Sequence, residues 1–186
     1  MATVIALVGD IGSGKGAAAD YLEKKYKLHK HTVSDFIRSE AKARKVKPMR
    51  ENLEKLSAEL RERFGKQYFI KKVITKIESD KDKRCVIDGV RLVSDVSYLR
   101  KYFGNKIKII FITASLRTRF ARMKARRRPG DPAFWEQFLM LEEKEEHEFH
   151  LSRVFRMADI IIKNEGTLEE LHKKIDELAG THRLFI

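Results

Sequence analysis

The seven residues Gly9-Asp10-Ile11-Gly12-Ser13-Gly14-Lys15 follow directly on the apolar run Val4-Ile5-Ala6-Leu7-Val8. A short buried strand that feeds a glycine-rich turn and then a helix restricts the fold more than any other feature of the chain. The glycines let successive backbone N–H groups turn inward on one anion. The helix adds the positive end of its dipole, and Lys15 reaches the outer phosphates. The spacing matches G-x-x-x-x-G-K in full, so residues 9–17 are expected to cradle the phosphates of ATP. Where the general motif continues with Ser or Thr, whose hydroxyl ligates Mg²⁺, this chain has Gly16 and Ala17. Phosphate binding is therefore better marked than metal geometry.

The remaining pattern alternates strand and helix. Apolar strands are expected at 3–8, 28–33, 85–87, 107–113 and 159–163. Helical periodicity covers 15–26, 34–43, 53–64, 69–78, 116–127, 132–150 and 168–178. Ser34 is placed to cap the helix that follows the second strand, and Thr167 the last one. This is an α/β chain, expected to form one three-layer α/β/α P-loop domain with a five-stranded parallel sheet covered on both faces. Ligands of such sheets bind beyond the C-terminal strand ends, so chemistry is sought in the turns that follow each strand.

Composition narrows the partners. Forty Lys and Arg against 27 Asp and Glu give a formal charge of +13, which suits an anionic partner: a nucleotide, a polynucleotide or an acidic surface. The single cysteine, Cys85, excludes an internal disulfide and favours a reducing compartment. No basic stretch leads into an apolar leader, and no apolar run approaches the ~18–20 residues a membrane span needs. The expected location is the cytoplasm, with no membrane partner. The tail 180–186 ends in Leu184-Phe185-Ile186, which can dock on the body or on a partner.

Three further turns carry candidate chemistry. Asp88 ends the third strand, where a carboxylate facing the phosphate loop can order Mg²⁺ or its water shell; the plainer alternative is a turn-capping aspartate. Arg91 lies just beyond it and offers a planar fork to a phosphate. Ser34-Asp35-Phe36-Ile37-Arg38 repeats the arrangement after the second strand, with Arg38 as a phosphate grip or as a surface arginine paired with Asp35 or Glu40. The third turn opens the basic segment 117–128, which holds Arg117, Arg119, Arg122, Lys124, Arg126, Arg127 and Arg128. In a helix, Arg119, Arg122 and Arg126 share a face. They can clamp a transferring phosphate, track a nucleic-acid backbone or form a solvated helix face. The break at Pro129-Gly130 marks a short lid at about 126–140. Glu143, Glu146, His147 and His150 have metal-ligand spacing but fit better as a solvated helix face.

Together these turns resemble the nucleoside-monophosphate kinases, adenylate kinase especially, and the related dephospho-coenzyme A kinases. The resemblance runs from residue 3 to about 178 and is similar throughout to an archaeal-type group of P-loop kinase-like proteins. Gly-Asp-Ile-Gly-Ser-Gly-Lys-Gly matches their phosphate loop. Ser34-Asp35-Phe36-Ile37-Arg38 looks like their helix-start motif, which implies that Arg38 grips the acceptor phosphate and that helices in 34–65 form the acceptor site. Val86-Ile87-Asp88-Gly89-Val90-Arg91 is similar to their Asp-Gly-x-x-Arg segment, one residue shorter before the arginine. The stretch 158–168 looks like the end of dephospho-coenzyme A kinases, which implies that Asn164 to Gly166 lie against the adenine of ATP.

The expected activity is ATP-dependent phosphoryl transfer to a phosphate-bearing metabolite. In this reading Lys15, Arg119, Arg122, Arg126 and Asp88 serve the reaction, with Asp88 assisting the metal. Ser34, Asp35, Arg38 and Arg91 hold the acceptor. The rival from another class is a nucleic-acid-associated P-loop ATPase or switch, in which the basic segment binds backbone phosphates.

Overall fold

The computed structural model describes residues 3–182; the tail sequence Leu184-Phe185-Ile186 lies outside them. The chain forms β1 (Thr3–Gly9), α1 (Lys15–Tyr26), β2 (His29–Thr32), α2 (Val33–Ala43), α3 (Arg50–Phe64) and α4 (Tyr68–Ser79). It continues with β3 (Arg84–Asp88), α5 (Val93–Phe103), β4 (Ile107–Thr113), α6 (Leu116–Arg126), α7 (Trp135–Phe149), α8 (Leu151–Arg156), β5 (Ile160–Lys163) and α9 (Leu168–His182). The five strands are all parallel, in the order β2-β3-β1-β4-β5. This is a three-layer α/β/α fold.

Alternation along the central strands produces the layers. In β1, Val4, Ala6 and Val8 face one side with Ile109 and Phe111 of β4, where they meet Leu56, Leu60, Phe69, Val73, Val96 and Val154 from α3, α4, α5 and α8. Ile5 and Leu7 face the other side with Ile110 and Ile112, against Ala18, Ala19 and Leu22 of α1 and Leu171 and Ile175 of α9. Period-two alternation with both sides apolar is what a parallel sheet covered twice demands. A third, smaller cluster of Ile11, Met123 and Phe138 fastens the phosphate loop beneath α6 and α7.

The expected elements are present with small shifts at their ends. Ser34 is not a cap: α2 begins at Val33, with extended Thr32 as its N-cap and no side-chain capping bond. The edge strand β2 passes straight into the helix, so Ser34 falls inside the first turn, and the hydroxyl at the cap position belongs to Thr32, which makes no capping bond. Two helices lie where none was expected, α5 between β3 and β4 and the six-residue α8 ahead of β5. Thr167 does cap α9, its Oγ1 accepting from the Glu170 N–H at 3.2 Å.

Candidate functional site

The phosphate loop connects the central strand to α1, and its geometry follows from two glycines. Gly9 has φ 136°, and a Cβ there would lie 2.0 Å from the Ile112 carbonyl oxygen of β4. Gly14 has φ 102° and would set a Cβ 2.5 Å from the Asn164 side-chain nitrogen. Only glycine suits such backbone at such contact. Gly14 is also the N-cap of α1. It has no side chain to offer the first-turn N–H groups, and no acidic residue stands in that turn. Those donors and the dipole behind them are left for an external anion.

Two side chains in the loop show the same need. Ser13 is fully buried, yet its Oγ has no hydrogen-bond partner. The half-buried Lys15 turns its ammonium back onto the carbonyls of Gly9 at 2.7 Å and Asp10 at 2.6 Å. Burial pulls this ammonium down to about 8; Arg91 adds to the shift, while Asp88, Glu145 and Asp10 oppose it. An orphaned hydroxyl, free helix-end donors and a desolvated ammonium all fit a polyphosphate.

Asp88, at the C-terminal end of β3, pairs in register with Leu7 of β1 and Thr32 of β2. Burial raises its carboxyl above the usual range, against Lys15, Lys30 and the Gly89 N–H. Asp88 is a hard oxygen donor of the kind Mg²⁺ takes. Gly16 is exposed and brings no hydroxyl, so Asp88 would be the side chain left to hold a Mg²⁺ ion here, directly or through water.

The arginines do not share one role. Arg91 is half-buried; it donates to Glu145 at 2.7 Å and lies over the Phe149 ring. Arg50, at the start of α3, donates to the same Glu145 oxygen at 2.8 Å and to Glu54. Arg38 is exposed and makes no hydrogen bond or ion pair among the described residues; Glu40 instead takes Tyr68 and Lys72. Ser34 and Asp35 lie on the first turn of α2 and Arg38 on the second.

The three arginines of α6 diverge. Arg119 is 4 % exposed and donates to the carbonyls of Ala114 and Ile11 and, through both terminal nitrogens, to Glu142. Arg122 donates to the Asn164 and Gly166 carbonyls, each at 2.8 Å. Arg126 forms a two-point pair with Asp131 that closes the turn after α6. Asn164, 4 % exposed, donates to the Ser13 carbonyl at 2.8 Å. The exit of β5 is thus tied both to the phosphate loop and to α6.

Glu142 and Glu145 escaped the sequence reading because they sit in the charged run Leu-Glu-Glu-Lys-Glu-Glu-His-Glu-Phe-His, which looks like a solvated face. Glu145 is 4 % exposed, and each receives arginine. Their spacing of three residues, on the same side of a helix, was the available signal. Within that run, Glu146 accepts from the Ser152 backbone and hydroxyl. Among the described residues Glu143, Glu146, His147 and His150 form no metal-binding group, and one such group occurs elsewhere, at His31, Asp80 and Asp82.

Comparison with known proteins gives the family and the fold. A family model described as an AAA domain matches residues 8–137. UPF0200 proteins of Hyperthermus butylicus and Thermococcus onnurineus are each 34% identical to the chain; the matches cover 95% of it in both cases, and 93% and 96% of those proteins. The chain belongs to the UPF0200 family. Its fold is also that of solved P-loop kinases. Shikimate kinase from Bacteroides thetaiotaomicron superposes with a TM-score of 0.61 at 12% identity, over 97% of this chain and 99% of that one. A gluconokinase from Sinorhizobium meliloti gives 0.56 at 14% identity, over 99% and 94%. At such identities the likeness is one of fold. No helix among the described residues of this UPF0200 member is long and apolar enough to cross a membrane.

Proposed function

We propose that this UPF0200 chain is a Mg²⁺- and ATP-dependent kinase acting on a nucleoside monophosphate or a similar phosphate-bearing metabolite, dephospho-coenzyme A-like compounds included. The observation that carries the reading is the convergence of Asp88, Arg91 and Glu145 on the charge of Lys15, at the end of the sheet where the phosphate loop opens. A loop alone holds a nucleotide; a carboxylate and a guanidinium beside its lysine suit transfer.

In this reading the backbone of residues 10–16 and Lys15 hold the donor phosphates. Asp88 would hold a Mg²⁺ ion through its water shell, and the ion would supply charge compensation to the phosphates. Arg38 and Arg91 hold the acceptor's own phosphate, with the helices in 34–65 shaping that site. The acceptor oxygen forms its bond to the γ-phosphorus as the bond to the bridging oxygen breaks, and ADP leaves with the electron pair. A phosphate-oxygen acceptor is already anionic and needs no strong general base, so positioning and charge compensation carry the reaction. A hydroxyl acceptor, as in dephospho-coenzyme A, must shed a proton, and Asp88 is the carboxylate beside Lys15 that would take it. Segment 126–140 acts as the lid. Arg119 positions the loop through the Ile11 carbonyl, and Arg122 steadies the 164–166 turn, which lies on the nucleotide side. The nucleic-acid alternative loses support from the same contacts, since Arg119, Arg122 and Arg126 are directed to protein partners.

The test is ATP consumption against a panel of nucleoside monophosphates, dephospho-coenzyme A and phosphomevalonate, with shikimate, gluconate, RNA and DNA in parallel. One small phosphorylated acceptor that releases ADP and yields its phosphorylated product supports the proposal. Turnover only with a hydroxyl acceptor lacking phosphate removes the role of Arg38, and stimulation only by a polynucleotide overturns the kinase.

A further inference from the structure

A second cluster of ligand-type side chains lies at the sheet edge, among residues that take no part in the reaction just described. His29 and His31 alternate on β2, an edge strand, and so project to the same side of it. Facing them is the loop between α4 and β3, which carries Asp80 and Asp82. His31 Nε2 lies 2.7 Å from Asp82 Oδ2, and His29 Nδ1 lies 3.1 Å from Asp82 Oδ1. The two carboxylate oxygens thus each meet a different imidazole. Ligand atoms of His31, Asp80 and Asp82 all fall within 4.8 Å of one another.

The burial of this group is uneven in a useful way. The side chains of His31 and Asp82 are 8% and 3% exposed, whereas that of His29 is 67% exposed. A carboxylate this deeply placed needs compensating positive charge. The inner pair sets the geometry, and the outer histidine leaves a path from solvent. From these placements we infer that His31, Asp80 and Asp82, with His29 on the other oxygen of Asp82 as the fourth ligand that swings in from the surface, form a binding site for a divalent transition ion of the zinc class.

The donor set favours that class over Mg²⁺ or Ca²⁺, which take oxygen almost exclusively. Ligand bonds of about 2.0–2.2 Å put neighbouring donor atoms of a tetrahedral site a little over 3 Å apart. Entry of the ion therefore asks His31 and Asp82 to part by roughly half an ångström, within the reach of side-chain rotation. Asp80 is held by Lys76 at 2.8 Å and by Ser79, so its recruitment trades an exposed ion pair for a metal bond. Such an ion would staple β2 to the loop that enters β3.

Two readouts test the site on the full chain without nucleotide. Equilibrium dialysis against Zn²⁺ with metal analysis is expected to give one tight equivalent. Titration with Co²⁺ is expected to give the visible absorption of a low-coordinate nitrogen and oxygen site. His29→Ala, an exposed substitution that leaves the core untouched, should weaken both by at least about tenfold. His31→Gln should abolish them, with circular dichroism reporting whether the variant folds. A His147→Ala/His150→Ala double variant should bind as the parent does. Absence of saturable Zn²⁺ binding, or binding that survives His29→Ala unchanged, overturns the site and leaves His31 and Asp82 as a hydrogen-bonded lock on the sheet edge.

Discussion

The side-chain amide of Asn164, at the exit of β5, donates to the Ser13 carbonyl in the phosphate loop at 2.8 Å, and both residues are buried. This single bond couples the last strand to the nucleotide cradle. Asn164→Ala leaves the carbonyl without its partner and opens space beside Gly14. Stability should fall by about 1–3 kcal/mol in urea unfolding, and the KM for ATP should rise more than kcat falls. Unchanged ATP affinity would detach β5 from the nucleotide site.

Lys15 makes a prediction about pH. Its folded-state value of about 8 lies below the ordinary lysine value of 10.5. Between those values the unfolded chain keeps a proton that the folded chain has released, so this residue makes stability rise with pH across that window. Below the window its cost is constant. Compared with Lys15→Met by denaturant unfolding at about pH 7 and about pH 10, the parent should gain on the variant at the higher pH. Phosphate oxygens in place of the two carbonyls would raise the value again. Calorimetry at about pH 8 in buffers of different ionisation enthalpy should therefore show proton uptake as ATP binds. Turnover should vanish in the variant while its fold persists.

Glu145 receives both Arg50 and Arg91 on one oxygen. Glu145→Gln keeps the volume but removes the charge that gathers them. The expected result is a raised KM for the acceptor found in the panel, with ATP affinity little changed, and a loss of about 1–3 kcal/mol of stability. A donor-side defect would place this carboxylate with the nucleotide instead.

Arg38 and Arg119 should separate cleanly. Arg38 is exposed and unpaired among the described residues, so Arg38→Ala should change stability by no more than about 0.5 kcal/mol while it raises the acceptor KM. Arg119 holds two backbone carbonyls and Glu142, so Arg119→Ala strands a carboxylate and should cost about 3–5 kcal/mol. Thermal unfolding of the two variants side by side distinguishes a ligand grip from a structural strut. Equal loss in both would erase that division.

Much of the architecture was legible because it rests on short-range chemistry. The apolar alternation of β1 and β4, the glycine and lysine spacing of residues 9–15, and the cap at Thr167 are each set within a few residues of sequence. What stayed hidden depends on distant pairing. Glu142 and Glu145 have the composition of a solvated helix, and only the approach of Arg119, Arg50 and Arg91 from three other elements makes them interior. Helix α5 escaped because its buried side carries Asp95, which Arg61 of α3 neutralises across the fold. The reason Ser34 does not cap is local: β2 ends at Thr32, α2 begins at Val33, and no turn intervenes. The basic segment 117–128 was visible as charge, but its division among Glu142, the 164–166 turn and Asp131 belongs to tertiary structure.

The strand order has a consequence for the birth of the molecule. β1 is made before the other four strands, yet both its neighbours, β3 and β4, come from residues 84–113. The amide that braces Ser13 comes later still, at residue 164. Contacts so far apart in sequence close slowly and late. A strand made before all the others is thus among the late ones to be completed, and a phosphate ligand cannot reward folding until residue 164 has been translated.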